Sequence, residues 1–299
     1  MEDFKDLGRT MKKLAISLAI TASLGLTGCD DTSLEDVQAE VADIKEQQTE
    51  LAASATVVFD PAAGVLSIPN DLLFNGTSDF TLELPAETDA KDAGEAVDFS
   101  NPEAALGALD GWGAQNSFSI AIEYDEGVTL DAATVASGDA VAIYQTIMFP
   151  NQADADCSDS AYALAACKGV SQLTWGVDYV TSVVSGNIVV TPLKPFTAGA
   201  SYILALTKAI KDNHGDELQP SATYAAVERD INTFPLATES QLGLQALVNS
   251  YENVLARDFS AVPDDIVYTA PFTIQSAGVA ATDPLQVVKQ VNAAVFSQT

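Results

Sequence analysis

Positive charge is what this chain has least of: 13 lysines and arginines stand against 42 aspartates and glutamates, a net charge of −29. A field of that sign repels phosphates, which excludes nucleic-acid binding and general adsorption to anionic headgroups. Histidine is scarcer still, since His214 is the only one. It sits in "KDNHGDEL" beside Gly215, where polar turn residues are expected for backbone reasons, and a triad base would need a nucleophile and an orienting acid in reach. No catalytic residue and no cofactor site is assigned on these grounds. The three cysteines cannot make a zinc centre, because no second pair or nearby histidine completes one. An apolar run of about 20 residues, the length a membrane-spanning helix needs, is missing as well.

A shorter apolar run is present. "MKKLAISLAITASLGLTGC" begins at Met11 with Lys12 and Lys13, continues through Leu14 to Leu24, and ends on small residues and Cys29. This is the layout of a secretory signal peptide over residues 1–28. Leu26, Thr27, Gly28 and Cys29 resemble the bacterial lipobox, whose cysteine is acylated and becomes the mature N-terminus. Cys29 is therefore the expected lipidation site, and membrane attachment through an N-terminal lipid the expected partner interaction. The ten residues before Met11 read as an upstream start. After removal of residues 1–28, 39 acids face 9 bases, a net charge of −30. Export leaves Cys157 and Cys167 as a pair ten residues apart in an oxidising compartment, so a disulfide is expected in what reads as a polar, Ala-rich loop.

Residues 29–54 form the expected tether. Leu34, Val37, Val41, Ile44 and Leu51 recur at alternating three and four spacings with Gln48 in the missing place, a helix with a narrow apolar seam. It spans under three heptads, so it reads as a charged helical spacer rather than a coiled coil. From Thr56 the texture changes to short β-rich runs punctuated by Gly, Pro, Asp and Asn: "SFSIAIEY", "AVAIYQTI", "GNIVVTPL", "SYILALTKAI" and "DIVYTAPFTIQS". Such runs predict an antiparallel β-sandwich. Two helical patterns interrupt it, "TESQLGLQALVNSYENVLAR" with Thr238 as N-cap, and "DPLQVVKQVNAAVF" opened by Asp283 and Pro284. With 47% apolar residues and about 245 residues beyond the tether, a sizeable core is expected.

Longer motifs carry a resemblance. "PLKPFTAGASYILALTKAIKDNHGDELQP" and "YTAPFTIQS" are similar to strands of bacterial immunoglobulin-like domains, with the helix at 238–257 inserted between them. "VFDPAAGVLSIPNDLLFNG", "TLELP" and "NPEAALGALDGWGAQNSFSI" follow in the order seen in the N-terminal domain of bacterial virulence factor lipases, which the chain resembles from about Phe59 to Ser276. The resemblance implies a mainly β, immunoglobulin-like domain over residues 55–278, with residues 279–299 a helical linker toward a C-terminal α/β-hydrolase domain. It also implies an exported lipoprotein of the outer membrane or cell surface of a Gram-negative bacterium. The Gly-x-Ser-x-Gly elbow of such a hydrolase is absent from this chain. "DPLQVVKQVNAAVFSQT" stops within an apolar helical pattern, which favours a missing following domain. The expected function is thus a non-catalytic lipase module, the alternative being a complete immunoglobulin-like lipoprotein for adhesion or ligand binding.

Other polar clusters read as structural. Asp154, Asp156 and Asp159 lack the spacing and closing glutamate of an EF-hand, so no metal site is expected there. Asp60, Asn70 and Asp71 read as turn formers that bond their own backbone. Trp112 and Trp175 are expected to pack in the core or in turns.

Overall fold

Two kinds of apolar pattern occur in the strands, and they decide how many layers each strand touches. The computed structural model describes residues 54–276, apart from 75–80, 82–88, 91, 99, 108, 150–153, 155–156 and 158–162. The signal segment, the tether helix, Cys29 and the helix expected at 283–296 lie outside these residues.

Nine strands, all paired antiparallel, form three sheets among the described residues. β1 (Ala55–Val57) pairs with β3 (Ile122–Tyr124). β2 (Phe118–Ile120), β7 (Asn187–Pro192) and β6 (Tyr179–Val184) form a second sheet in that order. The third and largest runs β5 (Ala166–Gln172), β4 (Val141–Met148), β8 (Ser201–Thr207), β9 (Ile266–Thr273). Short helices α1 (Pro102–Gly107), α2 (Ala132–Val135) and α3 (Ala222–Val227) lie in connections, and the long α4 (Glu239–Phe259) enters between β8 and β9. The chain is mainly β, as its turn punctuation predicts.

Side chains alternate across a strand with period two. β7 follows that rule, burying Ile188 and Val190 while Val189 and Thr191 are less covered. In β8 five consecutive residues, Tyr202 to Leu206, are buried, and β9 buries seven in a row. Continuous burial requires a layer on each face. One layer is the three-stranded sheet, whose Ile120, Tyr179, Ile188 and Val190 share a core with Val141, Ile143, Tyr202, Leu204 and Phe272. The other is α4, whose Leu247, Tyr251, Val254 and Leu255 pack on Ala142, Tyr144, Ile203 and Ala205. Thr238 opens α4 with a capping box: its hydroxyl accepts from Gln241 N, and the Gln241 side chain accepts from Thr238 N.

The run "SFSIAIEY" keeps its alternation of burial yet belongs to two sheets, because β2 ends at Ile120 and β3 begins at Ile122. Ala121 is the corner. Its N–H donates to the Ser67 hydroxyl and its carbonyl accepts from Val58 N, so leaving the ladder leaves neither group unpaired.

One expectation is corrected. Residues 166–170, the end of the supposed loop, belong to β5, an edge strand paired to β4 with two register shifts. Its outward Lys168, Val170, Ser171 and Gln172 are exposed, so no apolar alternation advertises it. The end of α4 holds it instead: Asp258 accepts from Gly169 N at 2.6 Å and Arg257 donates to the Cys167 carbonyl at 2.7 Å. A Cβ on Gly169 would meet the Phe259 ring at 2.5 Å, so this approach needs glycine. At the strand's start a disulfide joins Cys157 and Cys167, with Cα atoms 5.7 Å apart.

The α4 layer generates a prediction. Leu255 is fully buried beneath the larger sheet, so Leu255→Ala should lower unfolding stability by about 2–5 kcal/mol in urea titration.

Candidate functional site

A buried carboxylate closes the outer edge of the larger sheet. Asn70 and Asp71 lead into a 3-10 turn at Asp71–Phe74, and Asn70 behaves as a turn former, its Oδ1 accepting from Leu72 N at 3.0 Å. Asp60 does the same for Ala63 N at 3.2 Å. Asp71 does not, which corrects the reading of it as a local turn residue. It is 1% exposed and reaches 202 residues along the chain to the free edge of β9. Its Oδ1 accepts from Thr273 N at 2.9 Å and from Trp112 Nε1 at 3.0 Å, and its Oδ2 accepts from the Thr273 hydroxyl at 2.6 Å. Burial raises this carboxyl to about 6 against the pull of those donors.

The "LDGWG" stretch completes the edge. Trp112 N donates to Thr273 O at 2.8 Å and its carbonyl accepts from Gln275 N at 3.0 Å, a short parallel bridge along β9. The backbone comes so close that a Cβ on Gly111 would lie 2.6 Å from Gln275 N and 2.7 Å from Thr273 O. Only glycine fits there. Trp112 is half-buried with its ring 5.7 Å from that of Phe74, which is packing of the expected kind. Trp175 also packs against the core and donates from Nε1 to the Thr181 hydroxyl at 3.0 Å.

Beside this clamp lies a cleft of about 560 Å³, walled by Asp71, Asp110 and Thr273 and by the far end of β4. Ser201 and Thr273 share a hydroxyl contact of 2.8 Å, so a chain of two hydroxyls ends on the Asp71 carboxylate. A serine becomes a nucleophile when an adjacent base takes its proton, and here the group next to Ser201 is another hydroxyl. His214 is elsewhere: it is exposed in the Lys211–Glu217 turn, its backbone N donating to Asp212 Oδ1 at 2.8 Å. Asp154 pairs with Lys168 at 2.9 Å, whereas Asp156 and Asp159 lie outside the described residues. Among the described residues no group of three or more His, Cys, Asp or Glu is placed to hold a metal, and no helix is long and apolar enough to cross a membrane.

A second buried acid went unnoticed in the sequence. Glu252 occupies the apolar stripe of α4, four residues after Val248 and three before Leu255, and that position is the signal that could have found it. It accepts from the Tyr224 hydroxyl at 3.0 Å, and Tyr224 in turn accepts from Thr269 N at 2.9 Å, joining α3, α4 and β9. Burial raises the Glu252 carboxyl to about 8, with the nearby Glu228 carboxylate adding to the effect.

The sequence model for the N-terminal region of bacterial virulence factor lipases matches residues 42–297, and the edge-closing residues Asp71, Gly111 and Trp112 all lie inside that span. The chain belongs to this family. Curated proteins and solved structures yield no match. In this lipase N-terminal domain the buried carboxyls of Asp71 and Glu252 bond strand and helix partners.

Two outcomes follow from these acids. Asp71→Ala would remove the acceptor of the Thr273 N–H and of Trp112 Nε1 at this partly buried edge and leave the Thr273 hydroxyl with Ser201 alone, and should cost about 1–3 kcal/mol in urea titration. Glu252 binds its proton more tightly folded than unfolded, so its stabilising neutral form is fully present below about pH 4.5 and lost as pH rises through about 8. Thermal melts of Glu252→Gln across that window should lack the part of the decline that Glu252 causes in the parent, because glutamine keeps the acceptor for Tyr224 and cannot ionise.

Proposed function

We propose that this protein is the non-catalytic N-terminal module of a surface-attached bacterial lipase or lysophospholipase, whose hydrolase domain is supplied by chain beyond residue 299. The family match over residues 42–297 carries the reading, because it joins the sandwich to lipases as a class. In this assignment residues 1–28 are the signal peptide, Cys29 bears the lipid, residues 29–54 hold the domain off the membrane, and residues 279–299 lead toward the hydrolase. The protein is then an exported lipoprotein at the outer membrane or cell surface of a Gram-negative bacterium.

The chemistry supports a carrier role. Acyl transfer at neutral pH needs an activated nucleophile; the sequence holds no Gly-x-Ser-x-Gly elbow, and its one histidine is in an exposed turn. A strongly acidic surface repels anionic lipid headgroups, so attachment falls to the lipid rather than to the domain's field. A sandwich whose edge strands are capped by side chains from α4 and from Asp71 is suited to spacing and positioning a partner domain.

Residues 30–299, purified without the anchor, should give no turnover above buffer on p-nitrophenyl butyrate or lysophosphatidylcholine. Turnover that disappears in His214→Ala would overturn the non-catalytic reading. Genomic DNA downstream should encode a Gly-x-Ser-x-Gly hydrolase in frame or one base shifted; its absence would overturn the lipase assignment.

A further inference from the structure

The polar wall of the cleft beside Asp71 consists of hydrogen-bond acceptors whose neighbouring protons are already spent. Thr273 gives its hydroxyl proton to Asp71 Oδ2 at 2.6 Å, so the 2.8 Å contact between Ser201 and Thr273 is donated by Ser201. Both protons point inward, and the Ser201 oxygen keeps its two lone pairs. Asp110 is half-buried in the same wall, its Oδ1 accepting from Ser276 N at 3.4 Å and its Oδ2 from the Ser276 hydroxyl. Each of those carboxylate oxygens can take a second donor. The adjoining backbone supplies none, since Gly199 N donates to Ile274 O at 3.0 Å and Ala200 N to Thr197 O at 3.1 Å. Thr146, buried in the lining, directs its hydroxyl at the Met148 sulfur 4.0 Å away. That leaves the Gln145 amide as the one uncommitted side-chain donor of the lining.

Charge makes the same demand on an occupant. Among the described residues no lysine, arginine or histidine lines the cleft, whereas Asp110 does and Asp71 lies behind Thr273. Burial raises the Asp71 carboxyl only to about 6, so it is ionised at neutral pH. A phosphate, sulfate or carboxylate would meet like charge and surplus acceptors here. A primary ammonium, with three donors and no acceptor, is the complement of this wall. The opposite side is apolar, formed by Phe74, Met148, Phe149 and Leu164, with Val170 52% exposed at the margin. The volume of about 560 Å³ falls within the roughly 300–1,000 Å³ of small-molecule sites.

We propose that this cleft binds a small primary amine carried on an apolar tail, its ammonium on the Asp110 and Ser201 oxygens and its tail against Met148, Phe149 and Leu164. The two walls then have separate duties: the acceptors select charge and protons, and the apolar side selects the tail. A neutral alcohol of the same shape lacks the charge, and a quaternary ammonium lacks the donors. This site stands on the hydrogen-bond geometry of the cleft and does not depend on the lipase reading.

The test is calorimetric titration of the full chain in phosphatidylcholine nanodiscs, with empty discs as the blank. 4-Phenylbutylamine should give a saturable heat above the blank, whereas 4-phenylbutanol and 4-phenylbutyrate should give none. The trimethylammonium counterpart of the amine should bind at least about threefold more weakly, the loss expected for exposed charge-assisted bonds. Asp110→Asn, which removes the charge, and Val170→Lys, which sets a cation at the margin, should each weaken the amine by at least about threefold. Val170 is exposed, so its replacement leaves the sandwich folded even where loss of the Asp110 charge loosens the turn at Ser276. No saturable heat from the amine, equal heats from the amine and the alcohol, equal affinity for the quaternary compound, or an affinity that Val170→Lys leaves unchanged would overturn the proposal.

Discussion

The hydrogen bonds from Thr273 and Trp112 to the carboxylate of Asp71 settle how the larger sheet ends. β9 is its outermost strand, and an outermost strand presents unpaired N–H and C=O groups to whatever is near. Asp71 takes the Thr273 N–H at 2.9 Å, and Trp112 takes the Thr273 carbonyl through its own N–H at 2.8 Å. Both segments come from the first part of the chain, and both must be in place before β9 is closed. Gly111 is the accessory condition, since any side chain there would collide with the β9 backbone. The cleft, the exit of the chain at Ser276 and the packing of Phe74 on Trp112 all depend on this clamp.

The opposite edge is solved by different means. β5 is short of apolar residues, and the C-terminal turn of α4 reaches over to occupy its backbone groups through Asp258 and Arg257. Arg257 also bonds Asp258, an interaction that leads the causes holding that carboxyl down at about 2, so Asp258 is ionised as it accepts from Gly169 N. α4 therefore has two structural duties: it covers one face of the sheet with Leu247, Tyr251, Val254 and Leu255, and it locks the far edge. Each edge of this sheet is thus capped along part of its length, β9 by Asp71 and Trp112 and β5 by Asp258 and Arg257.

Perturbed proton affinity and catalytic placement are separate properties in this fold. Its buried acids illustrate the distinction. Asp71 and Glu252 both have raised proton affinities of the kind that marks catalytic groups, yet each is directed at strand or helix partners. Structural networks perturb titration as readily as active sites do, and hydrogen-bond geometry separates the two cases.

The sequence by itself determined the β-rich architecture, the placement of α4 and its Thr238 cap, and the family. Each of these is written in local pattern: turn residues at short intervals, a 3.6-residue period, and motifs in fixed order. The long reach of Asp71 was not legible, because "PNDLLF" looks like any turn and its partner lies 202 residues away. The strand character of Ala166–Gln172 was hidden too, since an edge strand stabilised by backbone pairing and by side chains from α4 need not carry an apolar alternation. The continuous burial in "YILAL" and "IVYTAPF" was visible as composition, but which two layers enclose it depends on where α4 packs. Local sequence encodes periodicity and capping, whereas partners distant in the chain are chosen only when three layers close on one another and every buried donor must find an acceptor.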